Sequence, residues 1–198
     1  MEQIRTIAPE ATGTPVQLYE YTELLKTSYI KAAWYALGAI ALLVFIHFRS
    51  VACVLLALLP VALGAFWMIG VMGVCDVAFN PANIMTLPLV IGVGVTNGIH
   101  ILNRFAEEQN PSILSKSTGK AVLVSALTTI VGFGSLGLAQ HQGIFSLGFI
   151  MAIGTTTCMA AGLTSLPALL TLLTRWGWKI KPLGEKVTRA GASRTLDP

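Results

Sequence analysis

The stretch LPLVIGVGVTNGIHILNRF, residues Leu87–Phe105, decides the fold of this chain. It is apolar enough to cross a bilayer as a helix, and Pro88 stands where a helix begins. Three polar side chains interrupt its middle and later part, namely Thr96, Asn97 and His100. Polar groups within a membrane helix are costly, so the stretch predicts either a functional site or a place where helices hydrogen-bond to one another.

The composition places most of the chain in a membrane. Of its 198 residues, 54% are hydrophobic and 11% are charged, whereas about 25% of the residues in soluble domains are charged. No Asp or Glu lies inside a long apolar segment, so the chain brings no carboxylate to the membrane core. The basic residues cluster in short loops and a tail, which is a signal of membrane topology rather than of nucleic-acid binding. The cysteines form neither a CxxC pair nor a Cys/His cluster, and we expect no metal site and no cofactor.

Five apolar segments have the length of membrane-spanning helices, which predicts an all-α membrane protein with a bundle over residues 28–176. The segments are residues 28–48, 51–74, 82–103, 121–139 and 144–173. We predict kinks or hinges at Pro60, Pro88 and Pro167, with Pro167 interrupting the fifth segment.

The flanking segments are polar. Residues 1–27 predict a turn into a short strand at Ala11–Val16 and then a helix at Gln17–Lys26, and we interpret them as the end of a larger soluble domain. Asn110 followed by Pro111 is typical of a helix start and predicts a short helix at the membrane surface. Residues 177–198 form a basic tail, for which we expect disorder beyond Lys181.

An odd number of spans puts the two termini on opposite sides of the membrane. Ten Lys and Arg residues fall on the C-terminal side and three on the N-terminal side. The positive-inside rule therefore predicts an inner-membrane protein with a cytoplasmic C-terminus and a periplasmic N-terminus.

Thr96 and His100 are four residues apart and share one helix face, while Gly94 and Gly98 form a GxxxG pair that favours close helix approach. The fourth and fifth segments also carry hydroxyl stripes, at Ser125, Thr128, Thr129, Thr155, Thr156, Thr157, Thr164 and Ser165. Because unpaired polar groups in lipid cost several kcal/mol, we predict that the stripes turn toward one another.

The simpler interpretation of these polar residues is that they pack helices together by hydrogen bonds. The more specific interpretation is that they line a transport path. His100 is the strongest mechanistic candidate because an imidazole exchanges protons near neutral pH. Its place near the membrane boundary also lets it reach headgroups and water. We interpret His47 as interfacial and His141 as a solvated or helix-capping group.

The segment GVGVTNGIHILNRFAEE (Gly92–Glu108) resembles the fourth-helix signature of the RND superfamily, in the branch of the MMPL lipid exporters. SALTTIVGFGSLGLAQHQGIFSLG (Ser125–Gly148) resembles the next helix of that branch. The FRS of Phe48–Ser50, the LLP of Leu58–Pro60 and the TGTPV of Thr12–Val16 fit the same pattern. The chain is similar to the hopanoid-biosynthesis-associated RND transporters through NGIHI and HQGIFSLG.

The resemblance implies an architecture of two repeats, each with six membrane helices and a large periplasmic domain after the first helix. It implies that this chain holds five helices of one six-helix RND repeat. Residues 1–27 would be a short remnant of a periplasmic α/β domain, and the N-terminal repeat would be a missing partner.

The family often has Asp where this chain has Thr96. The resemblance implies a proton-coupled transporter of hopanoid-like lipids whose other repeat supplies the carboxylate. Thr96, Asn97, Thr128 and Thr129 would hydrogen-bond to that carboxylate and orient it. We then expect membrane lipids as partners and no enzyme activity. The resemblance does not decide whether the protein forms a homo-oligomer. The alternatives are a sterol-sensing-type receptor or scaffold, a protein-translocation helper, and an inactive truncated fragment.

Overall fold

The structure is a computed structural model that describes residues 13–108 and 117–177. All regular structure in these two ranges is helical, and five of the helices are long and apolar enough to cross a membrane. They are α1 (Thr14–Phe48), α2 (Val51–Val74), α3 (Thr86–Glu108), α4 (Ser117–Gly134) and α5 (Gln142–Arg175), with a 3-10 turn at Ser135–Leu138. The prediction of an all-α membrane protein with five spans is confirmed.

The first helix differs most from the prediction. α1 begins at Thr14 and continues without a break into the first span, so the strand predicted at Ala11–Val16 is wrong for Thr14–Val16. The local reason is Pro15, which lies in the first turn of the helix, where its missing N–H costs nothing. Residues 1–12 lie outside the described residues, and residues 14–27 are helical.

The third and fifth helices also differ in their bounds. α3 begins at Thr86, because residues 81–85 form a turn, and it continues past Asn103 to Glu108. α5 runs through Pro167 as α2 runs through Pro60, so the interruption predicted at Pro167 is wrong. Membrane helices tolerate an internal proline where other groups satisfy the carbonyl that it leaves free. The surface helix predicted at Asn110 and the tail beyond residue 177 fall outside the described residues.

Helices α2, α3 and α5 pack against one another at glycines. A β-carbon placed on Gly64 of α2 would lie 2.6 Å from the Cα of Cys158 in α5. One placed on Gly98 of α3 would lie 2.9 Å from the carbonyl oxygen of Ala57 in α2. Such close approach increases van der Waals contact, which is a main source of attraction between helices in lipid. The three helices therefore form the centre of the bundle.

The other two helices flank this centre. α4 and the 3-10 turn after it pack on α5, where a β-carbon on Gly148 would lie 2.6 Å from the carbonyl oxygen of Phe133. α1 packs on α2 and α3 mainly near its C-terminal end, where Val44 is buried. In the most apolar window of α1 only 6% of the residues are buried, against 44% in α3 and in α5. Most of α1 therefore faces away from the bundle.

Candidate functional site

α3 divides its polar residues between two faces. Thr96 and His100 are exposed on one face, as the predicted spacing requires. Asn97 is only 3% exposed and lies with Gly94 and Gly98 on the packed face. Both glycines of the GxxxG pair lie at close helix contacts, because Gly94 meets Val61 and Cys158, and Gly98 meets Ala57. The consecutive residues Thr96 and Asn97 are therefore on different sides of the helix.

The predicted meeting of the polar stripes does not occur for the exposed hydroxyls. Thr96 Oγ1 donates to the carbonyl oxygen of Gly92 at 2.9 Å, within its own helix. Thr128 and Thr129 both donate to the carbonyl of Ser125, at 2.8 Å and 3.0 Å. Thr128 is exposed and Thr129 is half-buried. The prediction was wrong because a helical Ser or Thr can satisfy its hydroxyl hydrogen locally, which removes much of the reason to face another helix.

The hydroxyls of α5 divide in the same way. Thr156 and Thr164 are exposed, and each donates to the carbonyl four residues before it at 2.7 Å. Thr155 is fully buried, and its Oγ1 has no hydrogen-bond partner. The Nδ2 of Asn97 in α3 is likewise buried without a partner. Orphaned donors in a protein interior are uncommon and call for an explanation, such as a bound water or ion.

At the side of the bundle where α1 and α3 end, a side-chain hydrogen bond joins these two helices. The Nε2 of His47 lies 3.0 Å from the Oδ1 of Asn103, which accepts the ring N–H. One residue later, Arg104 forms an ion pair with Glu107 at 2.9 Å. His47 is exposed at the C-terminal end of α1.

At the opposite side, the structure contains a polar network that sequence reasoning missed. Asn83 is fully buried, and its Nδ2 donates to Ser146 Oγ at 2.7 Å and to the carbonyl of Ala78 at 3.0 Å. Asn80 Nδ2 also donates to Ser146 Oγ, at 3.0 Å. The loop before α3 is thereby fixed to the beginning of α5.

The same loop is also closed by local bonds. Asn80 Oδ1 accepts the backbone N–H groups of Ala82 and Asn83, both at 2.9 Å, and Thr86 Oγ1 donates to the Asn83 carbonyl at 2.6 Å. The signal in the sequence is the Asn80-Pro81 pair with a second Asn at 83, since Asn side chains close turns in this way. Their joint partner Ser146 lies more than 60 residues away along the chain and has no local signal.

His141 caps α5, because its Nδ1 accepts the backbone N–H of Gly143 at 3.2 Å. Its predicted role as a capping group is confirmed. Within the described ranges, no group of three or more His, Cys, Asp or Glu residues is placed to hold a metal ion.

Comparison with known proteins places these features in a family. The chain matches the model of the MMPL family over residues 2–194. It is 34% identical over 170 residues to "Putative membrane protein MJ1562" of Methanocaldococcus jannaschii, a match that covers 82% of this chain and 44% of that protein.

Two further relatives carry the name "Hopanoid transporter HpnN". The chain is 34% identical over 162 residues to the protein of Rhodopseudomonas palustris, with 82% of this chain and 18% of that protein covered. It is 29% identical over 167 residues to the protein of Burkholderia multivorans, with 84% and 19% covered. The chain thus spans less than half the length of these curated relatives. With a family match along nearly its whole length and five apolar helices, the chain belongs to the MMPL family of membrane proteins.

Proposed function

We propose that this chain forms membrane helices of a proton-coupled RND/MMPL-type transporter that moves hopanoid-like lipids. Membership of the MMPL family supports the class of protein, and two relatives named as hopanoid transporters support the class of substrate. The excess of basic residues on the C-terminal side supports an orientation with the N-terminus in the periplasm and the C-terminus in the cytoplasm.

The observation that carries this proposal is the exposed face of Thr96 and His100 on α3. In its most apolar window, α3 has 44% of its residues buried, a share that only α5 equals among the five helices described. Neither side chain is covered by another of the described helices. The imidazole of His100 in a membrane helix favours contact with protein or with a water-filled path over contact with lipid tails. We assign this face to a second helical repeat, which supplies the titratable carboxylate.

The hydrogen-bonding groups on this face of α3 suit a carboxylate that a helix of the second repeat supplies. Because Thr96 donates its hydrogen to Gly92, its oxygen retains lone pairs that accept a hydrogen bond from a protonated carboxylic acid. His100 lies one helical turn closer to the C-terminal side, where an imidazole takes up and releases the proton. Thr128 and Thr129 on α4 have the same local bonding and the same free acceptor capacity. Asn97, which follows Thr96 in the sequence, is 3% exposed and lies on the packed face, so it belongs to the interior of the bundle and not to this exposed face.

The test is proton-driven lipid export by the protein as the cell makes it, in membrane vesicles with an imposed pH gradient. His100→Phe is expected to lower export at least about tenfold, since general acid–base groups typically contribute more than this. Thr96→Val is expected to lower it by roughly 5–10-fold, which corresponds to the loss of one hydrogen bond. Thr156→Val is the matched control, because Thr156 is also an exposed, locally bonded threonine but lies on α5. Full export by both His100→Phe and Thr96→Val, at normal expression, would contradict the proposal.

A lipid-binding receptor or scaffold of sterol-sensing type is the second candidate. The observation in its favour is that no Asp or Glu lies inside the apolar segments of the sequence. An uncoupler separates the two candidates. Export that stops when the proton gradient is collapsed supports the transporter, whereas unchanged lipid binding and no gradient-dependent export would support the receptor.

A further inference from the structure

The exposed face of Thr96 and His100 continues along α3 toward the end of the helix. Both side chains are exposed, Asn103 is half-buried and Glu107 is exposed. These residues follow one another at spacings of four, three and four, so they lie in one row on the helix surface. Thr96 is near the middle of α3, and a rise of about 1.5 Å per residue places Asn103 roughly 10 Å closer to the C-terminal end. The row of polar side chains therefore leads from the middle of α3 to the side of the bundle where α1 and α3 end.

His47 of α1 joins this row at Asn103. Its Nε2 donates to Asn103 Oδ1, and the two atoms are 3.0 Å apart. An amide oxygen only accepts hydrogen bonds, so Nε2 keeps its hydrogen whether the ring is neutral or charged. The other ring nitrogen, Nδ1, is then the atom that takes up and releases a proton. His100 lies three residues before Asn103, which makes the two side chains neighbours on the surface of α3. Asn103 is thus next to both imidazoles.

His47 also has the surroundings that proton exchange with water requires. It is exposed, and it lies two residues before the exposed Arg49, where the short turn between α1 and α2 begins. Among the described helices, α1 contacts only α2 and α3. α2 carries no charged residue and no histidine, and its cysteine, Cys53, is buried. On α3, the nearby charges of Arg104 and Glu107 pair with each other at 2.9 Å. No carboxylate of the described residues pairs with the ring, so its exposed part faces the solvent.

We infer that His47 exchanges the proton that drives transport with the cytoplasm, and that Asn103 is the positioning residue for its ring. This inference rests on the proposed function and adds to it the point at which the proton leaves the membrane. The proton that His100 releases passes through water on the exposed face to Nδ1 of His47. The imidazolium that forms then gives the Nδ1 proton to cytoplasmic water, which regenerates the neutral ring. Asn103 holds the Nε2 hydrogen throughout and exchanges nothing.

The test is lipid export by the protein as the cell makes it, in inside-out membrane vesicles whose lumen is more acidic than the medium. The cytoplasmic side of the protein then faces the medium. His47→Gln keeps a side-chain N–H for Asn103 but removes proton exchange, and it is expected to lower export at least about tenfold. His141→Asn is the matched control, because His141 is also an exposed histidine and asparagine keeps its role as a helix cap. This control is expected to export at the wild-type rate.

Chemical rescue separates proton exchange from a structural role. His47→Ala leaves space at the end of α1, and imidazole added to the medium is expected to raise export by this variant several-fold at the same pH gradient. The same imidazole is expected to leave export by the wild type and by His141→Asn unchanged.

His100→Phe is measured alongside, since it tests the proposed function itself. Loss of export in His100→Phe together with full export by His47→Gln would overturn this inference and leave the proposed function standing. Full export by both variants would contradict both. The inference also fails if imidazole does not raise export by His47→Ala.

Discussion

Gly64 of α2 lies directly against the backbone of Cys158 in α5. A β-carbon at Gly64 would lie 2.6 Å from the Cα and 2.7 Å from the amide nitrogen of Cys158. A backbone cannot move aside as the tip of a flexible side chain can. The crossing of these two helices therefore requires glycine at this position.

Gly64→Ala is expected to destabilise the bundle by about 1–3 kcal/mol, the usual cost of overpacking a core. Thermal unfolding in detergent, followed by circular dichroism, measures the effect. Gly70→Ala is the control on the same helix, because nothing lies within 4 Å of its β-carbon position. That variant is expected to be neutral or to gain up to about 1 kcal/mol from helix propensity. Equal melting temperatures for the two variants would contradict the contact between α2 and α5 at Gly64.

Gly98→Ala is expected to separate α3 from α2, because its β-carbon would come 2.9 Å from the Ala57 carbonyl oxygen. The expected loss of stability is again about 1–3 kcal/mol, measured by thermal unfolding. Gly92→Ala is the control on the same helix, since the β-carbon position of Gly92 has no neighbour within 4 Å. A Gly98→Ala protein as stable as Gly92→Ala would argue against the packed face assigned to α3.

Ser146→Ala is expected to loosen the loop before α3. The change removes the oxygen that accepts from both Asn80 and Asn83, and Asn83 is fully buried. A buried donor left without a partner costs about 1–3 kcal/mol. Hydrogen–deuterium exchange should therefore rise in residues 77–86. Ser135→Ala is the control, because Ser135 is exposed and bonds only to the nearby Gly132 carbonyl, and exchange in the loop should then stay at the wild-type level.

The three cysteines provide a test of membrane orientation. Cys75 is exposed in the loop between α2 and α3, whereas Cys53 and Cys158 are buried. With the proposed orientation, a membrane-impermeant maleimide small enough to cross the outer membrane is expected to label Cys75 from outside intact cells. Cys75→Ser should abolish this labelling. Labelling of Cys75 only after the inner membrane is opened would reverse the proposed orientation.

The polar residues of α3 show how far sequence reasoning reaches. Helical spacing correctly puts Thr96 and His100 on one face and Gly94 with Gly98 on another. It does not say which face is packed, because threonine and glycine are both common in contacts between membrane helices. The structure buries the glycine face and leaves Thr96 exposed. The exposed threonines of the predicted stripes instead donate to carbonyls within their own helices. Composition alone does not distinguish such local bonds from bonds between helices.

The sequence by itself determined that five helices are long and apolar enough to cross a membrane and where most of them lie, because apolar length is a property of consecutive residues. The tertiary structure decided which residues meet. Ser146 accepts from Asn83, and Gly64 lies on Cys158, across long stretches of chain. These contacts depend on how the helices cross, and the crossings are set by shape complementarity at small residues on separate helices. Asn97 is buried and Thr96 is exposed for the same reason.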